Sequence, residues 1–79
     1  MKKDYRQRIR DLREDHDFKQ WQVAPYLKIT RQVYSRYETG INEMPIRHLI
    51  VLSNFYHVSC DYILGLTDDP RRLGFKNQK

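Results

Sequence analysis

The chain has 79 residues, room for one domain whose small core buries about 60–65% of the unfolded surface, so a second functional domain does not fit. With 39% of residues hydrophobic and 13% aromatic, the composition is globular rather than disordered. The net charge of +5 favours an anionic partner, nucleic acid ahead of a membrane surface, because no segment sets a long apolar face against lysines.

The opening stretch MKKDYRQRIRDLRED mixes acids and bases without an apolar run, which excludes a secretory signal or a membrane span and predicts a cytoplasmic protein. Tyr5, Ile9, Leu12 and His16 step by four, three and four, so they lay one apolar stripe on a first helix whose other faces are charged. His16-Asp17 turns the chain, and Phe18 is placed to plug the corner with a second helix. From Gln20 to Gly40, apolar Val23, Ala24 and Leu27 fall at helical spacing, Lys28-Ile29-Thr30 breaks the pattern, and Val33, Tyr34 and Tyr37 restart it. Two helices joined by so short a turn cross steeply, the helix-turn-helix geometry in which the second is built to enter a major groove. Between Phe18 and Tyr37 the chain carries Lys19, Lys28, Arg31 and Arg36 and no acid, the charge pattern expected of a surface that meets phosphates.

After Gly40 a loop leads to Pro45, well placed in the first turn of a fourth helix patterned by Ile46, Leu49, Ile50, Leu52, Ser53 and Tyr56. Ser59 caps a last short helix that runs through Leu64 and stops at Gly65. The predicted architecture is therefore all-α, a compact five-helix bundle with the helix-turn-helix in its second and third helices. Residues 1–69 form the domain and 70–79 a tail. Cys60, the single cysteine, cannot form an internal disulfide, agrees with a reducing compartment, and reads as a small buried hydrophobe.

The anchors IRDLRED, Phe18, Gln20, Val23-Ala24, Leu27, Ile29-Thr30-Arg31-Gln32, Ser35-Arg36-Tyr37-Glu38, Gly40, Pro45, Leu49, Leu52, Val58-Ser59 and Asp61-Tyr62-Ile63-Leu64-Gly65 resemble the Cro- and lambda-repressor-type helix-turn-helix proteins, the XRE family, from Ile9 to Asp69. The resemblance implies a lambda-repressor-like fold and a DNA-binding regulator of phage or bacterial type. It implies that Arg31, Gln32 and Arg36 reach base edges, where each two-bond contact is worth about 1–3 kcal/mol of discrimination. Gln20, Lys19, Lys28, Thr30, Ser35 and Tyr37 are then expected at the phosphate backbone, with Thr30 also capping the third helix. Glu38, the one acid near this face, is expected to pair with Arg13 and fix the first helix against the third.

The chain also departs from the family. Lys28 and His57 stand where glycine is usual and must take a left-handed conformation. Lys19 replaces a capping Ser or Thr, leaving that cap to Asp17, and Tyr34 brings a hydroxyl to a position commonly filled by Ile or Val. Pro25 falls inside the second helix, at a cost of about 3 kcal/mol in regular geometry, and Trp21 and Tyr26 flank it where the family carries polar residues.

No metal or cofactor is expected, since His57 and Cys60 are the only close pair of soft ligands. The three scattered glycines, Gly40, Gly65 and Gly74, make no phosphate loop, and no catalytic constellation or small-molecule substrate is implied. The expected partner is double-stranded DNA, bound by a homodimer as a repressor on a two-fold operator. Half-sites would lie about 34 Å apart, with dimer contacts from Tyr62, Leu66, Leu73 and Phe75. The alternative is a protein-interaction module, an antitoxin or adaptor, that binds a protein partner through Trp21, Pro25 and Tyr26.

Overall fold

The computed structural model describes residues 4–72. Five helices fold in chain order: α1 (Tyr5–Asp15), α2 (Gln20–Val23, continued by a 3-10 turn over Ala24–Leu27), α3 (Arg31–Thr39), α4 (Ile46–Tyr56) and α5 (Cys60–Ile63). Among the described residues there is no strand. Packing joins α1 to α3 and α5, α2 to α3, and α4 to α5 and the 3-10 turn. The core collects Ile9 and Leu12 of α1, Val23, Ala24 and Leu27 of the bent second helix, Tyr34 and Tyr37 of α3, Leu52 and Tyr56 of α4, then Val58 and Ile63.

Local signals set the boundaries. The Asp4 carboxylate accepts from the Gln7 N–H at 3.2 Å and starts α1. Thr30 accepts from Val33 N–H at 3.2 Å to start α3, and Ser59 accepts from Tyr62 N–H at 3.0 Å to start α5, each satisfying one donor the helix leaves free. Pro45 sits one place earlier than expected, as the N-cap of α4 rather than inside its first turn. Asp17 does not cap α2. It turns the chain with φ 59°, and the cap is made in reverse, by Gln22 Oε1 accepting from the Lys19 N–H at 2.8 Å.

Pro25 resolves its conflict by changing the helix type. The α-helix ends at Val23, and Pro25 enters the first positions of the 3-10 turn, where a missing donor and a fixed φ cost least. Lys28 N–H closes the turn on the Pro25 carbonyl at 3.0 Å and Ile29 N–H on that of Ala24 at 3.3 Å. The tighter winding still buries Ala24 and Leu27.

The apolar period of α4 overstates the core. Ile46 is 73% and Ile50 49% exposed, while Ser53 is buried with its hydroxyl donating to the Val58 carbonyl at 2.6 Å. Cys60 is half-buried and free, not the fully buried small hydrophobe its neighbours suggest. His16 ends the α1 stripe exposed, with its ring against Phe18 and Tyr56. Arg8 goes the other way. Its guanidinium lies 4.0 Å over the Tyr62 ring and donates to Asp68 at 2.6 Å, leaving the residue 7% exposed within a helix face that reads as solvated. This cation on an aromatic face ties α1 to α5. The Pro70 carbonyl accepts from Ser59 N–H at 3.0 Å, and Arg72 reaches Asn54 at 2.6 Å.

Lys28 (φ 58°) and His57 (φ 58°) take the left-handed conformation expected of them. His57→Gly relieves that strain at the end of α4 and is expected to stabilise the fold by about 0.5–1 kcal/mol, net of the added unfolded-state entropy. The change is read as a higher midpoint in urea unfolding at unchanged slope.

Candidate nucleic-acid interface

The surface is built around α3, nine residues long. Its inner face is Tyr34 and Tyr37, 0% and 5% exposed, and its outer face carries Arg31, Gln32 and Arg36, all exposed, with Ser35 half-buried beside them. The helix ends on Gly40 at φ 84°, where the Asn42 N–H also closes on the Arg36 carbonyl at 3.1 Å. The positive φ is what favours glycine there, since a Cβ would meet only the flexible end of the exposed Arg6 side chain.

Arg13 and Glu38 hold this helix. The guanidinium donates two bonds to the carboxylate, at 2.8 and 3.0 Å, and a third to the Phe18 carbonyl at 3.0 Å. Glu38 Oε1 accepts from Gln20 Nε2 at 3.1 Å as well, so one carboxylate joins α1, α2 and α3. Burial pushes the Glu38 carboxyl up, but the hydrogen bonds from its neighbours, Arg13 first, outweigh it and hold the carboxyl below its ordinary value. Tyr34, with the hydroxyl anticipated to need a partner, is buried next to this carboxylate without a hydrogen bond of good geometry. Burial, then the nearby Glu38 charge, raises its pKa well above the usual phenol range.

Not every residue anticipated at the phosphates faces out. The Tyr37 hydroxyl is buried and shares a 3.0 Å hydrogen bond with His48 Nδ1 of α4, which removes it from the outer surface. Burial, then the Arg47 charge, lowers the His48 pKa and favours the neutral imidazole, which in its Nε2–H tautomer accepts a hydrogen bond from the phenol at Nδ1. Gln20 is half-buried and turned toward Glu38, with one amide hydrogen committed there. Lys19, Lys28 and Thr30 are exposed. Of the residues anticipated for the dimer, Tyr62 lies under Arg8, Leu66 is 63% exposed, and Leu73 and Phe75 lie outside the described residues.

What separates this surface from the rest is its unspent charge. Arg6, Arg8, Arg10, Arg13 and Arg71 each meet a carboxylate, and Arg72 meets Asn54. Lys19, Lys28, Arg31, Arg36 and Arg47 have no such partner among the described residues. Arg47 was absent from the sequence reading because it stands beyond the acid-free stretch. In space it lines one open hollow with Lys28, Tyr26, Ile29 and Val51. The free cations thus gather on the two crossed helices, their turn and the start of α4.

The chain matches the helix-turn-helix family over residues 9–63. It belongs to that family. Three relatives from Bacillus subtilis (strain 168) bear on it. An uncharacterized HTH-type transcriptional regulator, YobD, is 44% identical over 66 residues, 84% of this chain and 59% of that protein. The SPbeta prophage-derived uncharacterized HTH-type transcriptional regulator YonR is 38% identical, covering 73% of this chain and 54% of its own length. A third, YqaE, is 35% identical over 76% of this chain and 52% of its own length. The chain spans little more than half the length of these relatives. No solved structure matches it. No helix among the described residues is long and apolar enough to cross a membrane.

The Arg13–Glu38 pair makes the family fold sensitive to acid. Glu38 has a lowered folded pKa against an ordinary value of 4.5, so its contribution is complete above that value and is lost as pH falls through the folded one. Glu38→Gln is expected to cost about 3 kcal/mol at neutral pH by stranding Arg13. It should also flatten the acid limb of stability, measured by urea unfolding from roughly pH 7 to pH 3.

Proposed function

We propose that the protein is a sequence-specific DNA-binding transcriptional regulator, a repressor that acts as a dimer on a two-fold operator with α3 in the major groove. The observation that carries this reading is the segregation of charge. Cations elsewhere in the described fold are bonded, and those of the helix-turn-helix surface are not. Leaving five like charges without partners repels until an anion meets them, and a duplex supplies phosphates at the required density. Arg31, Gln32 and Arg36 then read base edges, while Lys19, Lys28, Arg47, Ser35 and the remaining amide hydrogen of Gln20 take phosphates. The names of the relatives, all HTH-type transcriptional regulators and one prophage-derived, support a regulatory, non-enzymatic role in a bacterial or phage setting, in the cytoplasm.

Binding to random duplex is expected to fall with added salt at a log–log slope of about −3 per protomer, from Lys19, Lys28 and Arg47 at the backbone. Arg31→Ala and Arg36→Ala should each weaken selected-site binding by about 1–3 kcal/mol. Arg10→Ala, which removes a cation paired to Glu14 on α1, should leave binding within error. Fluorescence anisotropy across a salt series checks all three. A flat salt response, or an Arg10 effect equal to those of Arg31 and Arg36, would overturn the proposal.

For the dimer, the support is apolar surface that the core leaves open. Leu64 and Ile46, 42% and 73% exposed, share a hollow with Leu49, Met44, Tyr5 and Glu43, and Leu66 follows at 63%. Leu66→Glu is expected to hold the protein monomeric in sedimentation and to cost affinity for a two-half-site operator while single half-site binding persists. Equal loss on both DNAs would exclude this face from the dimer.

A further inference from the structure

We propose that the outer face of the second helix, formed by Trp21, Pro25 and Tyr26, docks a partner protein through an acidic segment that carries apolar side chains and that competes with DNA phosphates for Lys28 and Arg47, while the base-reading side of α3 stays uncovered. Trp21 is 62% and Tyr26 59% exposed, and Pro25 is exposed between them. None of the three closes the core, because the packed side of this element is Val23, Ala24 and Leu27. Large aromatic surface left open on so small a fold, together with a proline that forces a change of helix type, marks a place of contact rather than of packing.

Two of its three residues are held in place before anything binds. Tyr26 rests against Phe55 with ring centroids 4.4 Å apart, and Phe55 rests on Phe18 at 5.4 Å. Pro25 fixes its own φ. Little conformational entropy is therefore left to lose at Tyr26 and Pro25 on docking.

Charge selects the occupant. Lys28 follows the face and shares a hollow with Tyr26 and Arg47, both cations exposed and without an ion pair among the described residues, whereas Lys19, at its start, lines a hollow with Arg13, Glu14 and Asp17. No Asp or Glu lies between Phe18 and Tyr37. Apolar rings bordered by the Lys28 ammonium and the Arg47 guanidinium complement a polypeptide in which Leu or Phe alternates with Asp or Glu. A sugar-phosphate backbone would satisfy these cations but lay no apolar surface on Trp21 and Pro25, and Pro25 offers it no N–H. The acidic polypeptide is the better fit.

Trp21 is the only tryptophan in the chain, so its fluorescence reports on this face alone. The probe is a synthetic peptide of Glu, Asp, Leu and Phe, with controls in which Gln and Asn replace the acids and in which polyglutamate replaces the whole. The acidic amphipathic peptide is expected to shift Trp21 emission to the blue, the amide version to bind at least about tenfold more weakly, and polyglutamate to give no shift. Trp21→Ala should weaken peptide binding, followed by calorimetry, by about tenfold or more and leave the affinity for duplex DNA unchanged. Absence of any emission response to the peptide at millimolar concentration overturns the proposal. So does an emission shift with duplex DNA accompanied by weaker DNA binding of Trp21→Ala, which would make Trp21 a DNA contact. Loss of DNA binding by Arg31→Ala with an intact peptide response separates this surface from that of α3.

Discussion

A single carboxylate decides where α3 lies. Glu38 stands in the last turn of α3 and binds Arg13, 25 residues earlier on α1, together with Gln20 at the start of α2. Apolar packing alone would leave α3 loosely specified, because its buried anchors are two tyrosines whose flat rings tolerate rotation and sliding. The bidentate geometry does not. Two parallel hydrogen bonds fix the roll of one helix against the other, and the bond from Arg13 to the Phe18 carbonyl fixes the corner between α1 and α2. Desolvating both ions offsets much of their attraction, so the pair matters more for the orientation it imposes than for net stability.

The same pair sets the charge of the outer surface. By drawing Glu38 inward it removes the only acid of α3 from the exposed side, and Arg31 and Arg36 are left without an opposing charge. A second constraint acts at the other edge of the helix, where Tyr37 and the neutral His48 join α3 to α4. Between these two attachments α3 has little freedom to roll, so the direction in which it presents Arg31, Gln32 and Arg36 is set before a partner arrives.

What was legible in the residues follows from the range over which each signal acts. Caps act over three residues, so Thr30 and Ser59 could be read directly. The apolar steps at Val23, Ala24, Leu27, Tyr34 and Tyr37 survived even the passage into a 3-10 turn, because burial depends on which side a residue faces and not on the type of helix. Arg13 with Glu38 was visible only by resemblance, since nothing local links them. Arg8 looks like any other charge of α1, because its environment is a ring on α5 and no pattern within α1 distinguishes it from Arg6 or Arg10. Tyr37 was assigned to the wrong surface for the same reason: the direction of its hydroxyl is decided by His48, on another helix. In α4, Ile46 and Ile50 match the helical period yet face outward, because period gives a face and says nothing of whether a neighbour covers it.

Pro25 shows how a local violation can be contained. Its cost is taken up within Ala24–Leu27, and by Ile29 the chain has recovered through the bond to the Ala24 carbonyl. Thr30 still caps α3, and Glu38 still receives Gln20 from the unbent part of α2. The distortion therefore changes the outer side of the second helix without moving the third. A helix-turn-helix built in this way has two distinct outer surfaces, one held by Arg13 and Glu38 and the other shaped by a proline and two aromatic rings. Substitution on either can alter what is bound there while the core they share stays the same.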